Sequence, residues 1–354
     1  MQLIEKIIFE RKPIKWLYDQ LKTELLFVDN SFQRRYVWTH SNQVQLIESI
    51  IIGYPIPEIY VWERDTDPVS GETKHSIIDG QQRLGAIFDF INEKYRLQAS
   101  HIDNKDADYK AKLFPELSDE QRSNFWKYPF AVRIVKNTVS REEIVEMFLR
   151  LNKTNTTLNP QELRNAEFEG RFIKLSQEIS DNAFWNHYNL FNQYDIRRML
   201  DIQFASSILV FFRFGFDEEI TQASINRAYD TFNEDYADYE KDKELFDHLL
   251  KFADVLFTKH PDSLSFFKKK VHLYTLFTAL YYYMVKYGKF PDTSIDLYGQ
   301  FATHYDKAEE LLAIFGEEKF RLIEEYKRLA LEGTNKRSNR QRRFEIIKAL
   351  TDDN

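Results

Sequence analysis

Five consecutive residues, Asp79-Gly80-Gln81-Gln82-Arg83, combine a carboxylate, a residue without a side chain, two neutral amides and a guanidinium. They follow the apolar pair Ile77-Ile78 and precede Leu84, Ile87, Phe88 and Ile91, which fall at helical spacing. The pattern predicts a turn from a buried strand into an amphipathic helix that begins close to Gln81. The first N–H groups of a helix lack intrahelical partners, and the helix dipole adds positive potential there. A phosphate group suits such a place. Gly80 lets the backbone approach a ligand closely, and the planar fork of Arg83 can grip two phosphate oxygens. Asp79 can cap the helix or hold Mg²⁺. Gln81 and Gln82 can orient a base, a ribose or an attacking water. The bland alternative is a surface turn whose polar residues only cap a helix, since strand–turn–helix junctions are common.

A second concentration of charge lies near the C-terminus, where Lys336, Arg337, Arg340, Arg342 and Arg343 fall within eight positions. Arginines so placed can contact the phosphate backbone of DNA or close over a nucleotide; the plain reading is a solvated, partly helical tail. The chain as a whole carries a net charge of -7, so any nucleic-acid contact must be local. There is no cysteine, which excludes disulfides, thiolate nucleophiles and cysteine-ligated zinc. His272 sits in the most apolar stretch, Val271 to Val285, and reads as a core histidine. Tyr281-Tyr282-Tyr283 reads as helix core and subunit contact, because three consecutive residues cannot share one helical face.

These residues need elements to position them. The sequence is 43% hydrophobic and 30% charged, with 30 Phe and 20 Tyr but only 10 Gly and 9 Pro, a balance that predicts a folded, mainly helical protein. No secretory signal is visible at the start, and Val271 to Val285 is short for a bilayer span. A cytoplasmic protein with no membrane contact is expected. Thr39 or Ser41 is placed to cap a helix ended by Gly53, and Glu58–Glu63 and Lys74–Ile78 read as strands around a turn at 65–71. A third strand, Phe130–Val135, leads to a helix opened by the Ser140/Glu143 capping pair. Beyond Asn159-Pro160 the pattern is helical, near 160–180, 195–213, 218–233, 240–258, 263–287, 297–315 and 317–331. The expected architecture is α+β: a small α/β domain over 1–160 and a mainly helical domain over 161–354, with a basic C-terminal segment.

Three ordered segments carry a family resemblance: Phe32-Gln33-Arg34-Arg35-Tyr36-Val37-Trp38, Asp79-Gly80-Gln81-Gln82-Arg83, and Phe148-Leu149-Arg150-Leu151-Asn152 with the later Glu162-Leu163-Arg164. They resemble the QR, DGQQR and FxxxN motifs in the N-terminal domain of GmrSD-type modification-dependent restriction enzymes, a ParB/sulfiredoxin-like fold. The likeness covers roughly residues 25–170, with the motif core of the domain at about 25–160. It implies nucleotide binding and Mg²⁺-dependent NTP hydrolysis in bacterial defence against phage. Residue by residue, it puts Gly80, Gln81, Gln82 and Arg83 around a triphosphate, with Gln33 and Arg34 approaching and Asn152 closing the pocket. Asp79, Gln82 and Gln33 are the expected catalytic set, Asp79 being the candidate Mg²⁺ ligand. Phe148 is expected to support the pocket wall as ordinary core.

Full-length enzymes of this kind carry a C-terminal HNH nuclease. The eight His residues here, at 40, 75, 101, 187, 248, 260, 272 and 304, show no paired-His or HNH-like spacing. No nuclease activity is therefore expected in this chain. It is expected to act as sensor or switch for a separate effector or nuclease subunit, with homo-oligomerisation open. The rival reading is a nucleotide- or DNA-binding regulatory module that does not hydrolyse.

Overall fold

β-Branched and aromatic residues dominate Ile59–Thr66, Thr73–Asp79 carries Thr73, Ile77 and Ile78, and the segment between them folds back on Asp67. The Asp67 carboxylate accepts from the Val69 and Ser70 amides at 2.7 and 3.0 Å, and Gly71 turns the chain with φ 71°. A computed structural model describes residues 2–29, 38–153, 159–218 and 220–352, the side chains of 152 and 153 excepted. The chain divides into two compact units, Met1–Glu167 and Phe168–Asn354. The architecture is α+β, with one mixed sheet in the first unit and helices in the second.

The first unit runs β1 (Ile7–Pro13), α1 (Ile14–Lys22), β2 (Leu26–Val28), α2 (His40–Ile51), β3 (Ile59–Thr66), β4 (Thr73–Asp79), α3 (Gln81–Ile91), α4 (Asp119–Lys127), β5 (Pro129–Val135), α5 (Arg141–Lys153) and α6 (Pro160–Glu167). Its five strands lie in the order β1-β5-β3-β4-β2. β3 pairs antiparallel with β4 and parallel with β5; β1 is antiparallel to β5, and β2 is parallel to β4. Alternation along the strands sends Val61, Ile77 and Val132 to one side, among Ile14, Leu17, Val44, Leu84 and Phe90. Trp62, Ile78 and Val135 face the other side and pack with Ile144, Phe148 and Ala166. Helices thus cover both faces of the sheet.

The caps expected at Thr39 and Ser140 are built. Thr39 accepts from the Asn42 amide at 3.4 Å, and Ser140 and Glu143 bond reciprocally at 3.0 and 3.3 Å; Asn159 opens the next helix, accepting from the Gln161 and Glu162 amides at 2.9 Å. β1 and β2 were not expected from the sequence. Both find their partners far along the chain rather than through a turn, β1 pairing with residues 129–135.

The second unit contains α7 (Arg171–Ser180), α8 (Ala183–His187), α9 (Gln193–Arg197), α10 (Leu200–Phe214), α11 (Gln222–Thr231), α12 (Tyr239–Lys259), α13 (Leu264–Phe267), α14 (Lys270–Tyr287), α15 (Asp292–Thr303), α16 (Ala308–Leu331) and α17 (Arg337–Thr351). The helix expected over 160–180 breaks at Gly170, where a Cβ would lie 2.0 Å from the Asn233 carbonyl oxygen. α6 stays with the first unit, its Ala166 packed in the same cluster as Phe148. The helix expected over 263–287 is interrupted between α13 and α14. Aromatic contacts hold the unit together: Trp185, Phe204, Phe246 and Phe277 meet in one cluster, with ring centroids 5.2–6.2 Å apart. His272 is a core residue, stacked on Phe266 at 3.8 Å and bonded through Nδ1 to the Tyr326 hydroxyl at 3.0 Å; burial, then Lys269 and Arg343, push its pKa down to about 3. Tyr283 is buried, as a core residue should be, and Tyr281 and Tyr282 pack at the edge of the same core. Among the described residues, no helix is long and apolar enough to cross a membrane.

One buried carboxylate fixes the long connection between α3 and α4. Glu48 on α2 is 4% exposed and accepts from the Asp103 and Asn104 amides at 2.9 and 3.1 Å and from the Tyr109 hydroxyl at 3.1 Å. Removing it orphans two amides, so Glu48→Ala is expected to lower the stability of the first unit by about 2–4 kcal/mol. Urea unfolding followed by tryptophan fluorescence checks this; a loss under about 1 kcal/mol would contradict it.

Candidate functional site

The sheet prepares the junction at residues 79–83 by a change of register. Tyr60 stands opposite Asp79 while Val61 stands opposite Ile77, so Ile78 is an extra residue in β4. Bulges of this kind re-aim the residues beside them. Tyr60 also stands opposite Arg133, and Arg133 opposite Phe9. Directly paired residues share a face, so Phe9, Arg133, Tyr60 and Asp79 form a row across four strands.

Gly80 then turns the chain into α3. It is the N-cap, in the left-handed region at φ 107°, and a Cβ there would lie 2.4 Å from Ile59 Cγ2. Glycine is required twice over, by backbone conformation and by the neighbouring strand. Asp79 does not cap the helix, because its carboxylate is used otherwise. Arg83 Nη2 donates to Asp79 Oδ2 at 2.5 Å and to the Glu58 carbonyl oxygen at 3.0 Å. The guanidinium is thus a tie between the end of β4 and the residue before β3, and Arg83 is only 9% exposed. The expected free fork is therefore half committed to the protein.

The uncommitted polar atoms lie in the same place. Arg83 Nε and Gln81 Oε1 are both buried and have no hydrogen-bond partner among the described residues. Gln82 is buried, and its Oε1 accepts from the Trp38 amide at 3.0 Å. That bond seats the last residue of the Phe32–Trp38 motif against α3. Gln33 and Arg34 lie outside the described residues. Asn152 falls near the end of α5, one turn beyond the buried Phe148, and its side chain is likewise not described.

Beside this junction stands a cluster that the motifs did not announce. Glu58 Oε1 accepts from the Tyr60 hydroxyl at 2.6 Å, and its Oε2 from Arg133 Nε at 2.9 Å. Burial pushes the Tyr60 hydroxyl up to about 12, with the bond to Glu58 adding to it. Burial works the other way on Glu58, but its bonds from Tyr60 and Arg133 and the charge of Arg133 hold the carboxyl below the usual range. The Arg133 guanidinium also lies 4.7 Å over the Phe9 ring. One signal was present in the sequence: Arg133 interrupts an otherwise apolar strand, Phe130–Val135.

The basic C-terminal segment is arranged differently from the expected DNA-gripping surface. Arg340 and Arg343, at 2% and 1% exposure, point into the helical core. Arg340 donates to the Tyr274 hydroxyl at 2.8 Å and the Asn335 carbonyl at 3.2 Å; Arg343 donates to the Leu329 and Thr334 carbonyls at 2.9 Å. Arg342 forms a bidentate pair with Glu325 at 2.8 Å, and Arg337 pairs with Asp217 at 2.6 Å. Lys336 is exposed at the N-cap of α17. Arg340 and Arg343, three residues apart, share the inward face of the helix while the other three do not, so the five residues do not share one surface.

Residues 14–169 match the family model described as the GmrSD restriction endonuclease N-terminal domain. No curated protein matches the chain. Residues 14–169, somewhat under half of the chain, are therefore a domain of that family.

Gly80→Ala is expected to destabilise the first unit by about 1–3 kcal/mol, through both the left-handed backbone and the contact with Ile59. Ile59→Ala removes the Cγ2 that the new Cβ would meet, so in a double-mutant cycle the two changes should cost less together than the sum of each alone, leaving the backbone part of the Gly80→Ala loss. Urea unfolding of the four proteins of this cycle checks it; a Gly80→Ala change below about 0.5 kcal/mol would show that the junction is looser than described.

Proposed function

We propose that the first unit binds a nucleoside triphosphate with its phosphates at the N-terminus of α3. The observation that carries the reading is a pair of buried polar atoms there, Arg83 Nε and Gln81 Oε1, that have no hydrogen-bond partner among the described residues. Unsatisfied buried groups are costly and rare in folded proteins, and at binding sites they are satisfied by the ligand. A helix start that also carries a guanidinium favours an anion, and a left-handed glycine leaves the backbone approachable. Trp38 on Gln82 supports bringing Gln33 and Arg34, a few residues earlier, toward the same phosphates.

The residues present are compatible with Mg²⁺. Such an ion is commonly held by one or two carboxylates together with substrate phosphates. Asp79 accepts from Arg83 through Oδ2 and makes no hydrogen bond through Oδ1 among the described residues, so Asp79 is the group that would hold it. Bound there, the ion would neutralise charge on the phosphates. Gln82 and Gln33 are proposed to orient an attacking water, and Asn152 to close over the nucleotide. The domain would then report its nucleotide state to a separate effector, such as a nuclease subunit, in defence against foreign DNA.

A second reading, nucleotide-dependent switching without turnover, is favoured by one observation. The carboxylates nearest the helix start, Asp79 and Glu58, are both engaged by arginines. That leaves no unpaired carboxylate as general base among the described residues described at this junction. Phosphate release under steady-state conditions separates the two readings.

The test of binding is calorimetric titration of the full chain with ATP, GTP, CTP and UTP, with and without Mg²⁺. Arg83→Lys keeps the charge and loses the fork, so affinity should fall by about 1.5–3 kcal/mol, roughly 10- to 150-fold. Unchanged affinity in a variant whose melting curve shows it folded would remove Arg83 from the site. If hydrolysis is found, Gln33→Ala should lower turnover more than affinity, because an orienting amide matters most in the transition state. A loss confined to affinity would make Gln33 a binding residue only.

A further inference from the structure

The helical unit holds a half-open cavity of about 270 Å³ between α10, α11, α14 and the start of α17. Its lining includes Lys270, Arg340 and Arg343, and no carboxylate lines it among the described residues. Lys270 is paired with Asp195 at 3.3 Å. The two arginines differ: their hydrogen-bond acceptors are the Tyr274 and Thr275 hydroxyls and backbone carbonyls, and among the described residues no carboxylate pairs with either. Each guanidinium has five N–H groups, and three are used on each. Two buried cations therefore meet one polar hollow with donors to spare. Carbonyl dipoles solvate such charges but do not neutralise them. Gln203 on α10 and Asn335 before α17 add side-chain amides to the lining.

We infer that this cavity is an anion-binding site for a phosphate-bearing small molecule no larger than a mononucleotide. The size argues for that class, since the hollow lies at the lower edge of about 300–1,000 Å³ that is usual for small-molecule pockets. A duplex or an oligonucleotide does not fit it. Guanidinium groups suit phosphate because planar N–H pairs match its oxygens. The neighbouring Tyr274 and Phe204 rings offer apolar surface for the organic part of the ligand. The site lies wholly within the second unit and does not depend on the nucleotide reading of the first.

The probes are inorganic phosphate and 5′-nucleoside monophosphates, added to the full chain at constant ionic strength against chloride. Binding is read as a rise in the melting temperature and by calorimetry. Gln203→Leu and Lys270→Gln change the lining without touching the two buried arginines, and each should weaken binding by roughly 5-fold or more. Arg340→Met should abolish it; should that variant fail to fold, the two lining variants still decide. Arg83→Lys, in the other unit, should leave this binding unchanged. Stabilisation no greater than that by chloride would overturn the inference and make the arginines packing elements of the core. Binding that survives both lining variants, or that disappears with Arg83→Lys alone, would place the anion elsewhere and overturn it equally.

Discussion

Arg83 reaches back across its own helix start to hold Asp79 and the carbonyl of Glu58, and much of the first unit is arranged around that reach. The guanidinium can make both bonds only if Gly80 turns left-handed and lets Ile59 press on its Cα. That turn sets where α3 begins relative to β3 and β4. The extra residue at Ile78 places Asp79 opposite Tyr60, and Tyr60 opposite Arg133, so a row of polar groups runs along the sheet to the same corner. With Arg83 one-tenth exposed, the charge is held at a fixed point rather than carried on a mobile side chain. A fixed charge at a helix start is the condition for binding phosphate without reorganisation.

Arginine serves two ends in this chain, and burial with partner type separates them. On the first unit, Arg83 and Arg133 pair with carboxylates at a junction that keeps unpartnered atoms. On the second, Arg340 and Arg343 sit inside a helical core on hydroxyls and carbonyls. Proximity in sequence gave Lys336 to Arg343 the look of one basic patch, whereas a helix distributes adjacent residues around its axis. Arg342 and Arg337 meet acids on the outside while Arg340 and Arg343 go inward.

The local signals in the sequence were faithful where the structure is local. The caps at Thr39, Ser140 and Asn159, the turn at Asp67, the strand ending at Asp79 and the helix starting at Gln81 all follow from side chains acting within a few residues. β1 and β2 escaped because their partners lie far along the chain and no turn residue advertises them. The roles of Asp79 and Arg83 were legible as chemistry but not as geometry. Nothing within five residues says that Arg83 will bond to the carbonyl of Glu58, 25 positions earlier. The Glu58–Tyr60–Arg133 cluster was hidden for the same reason, since it exists only through the parallel pairing of β3 with β5. The helical pattern reads straight through Gly170, because its need for a bare Cα comes from Asn233, far along the chain.

The central claim is that the first N–H groups of α3 are the seat of a nucleotide's phosphates. Amide hydrogen exchange of the full chain, followed by mass spectrometry with and without ATP, GTP, CTP or UTP and Mg²⁺, addresses those groups themselves. Helix-start amides lack intrahelical acceptors and exchange readily until a ligand oxygen accepts from them. The account predicts that at least one nucleotide slows exchange in peptides spanning residues 79–84. Protection found only in other segments, with residues 79–84 unchanged at saturating nucleotide, would contradict it.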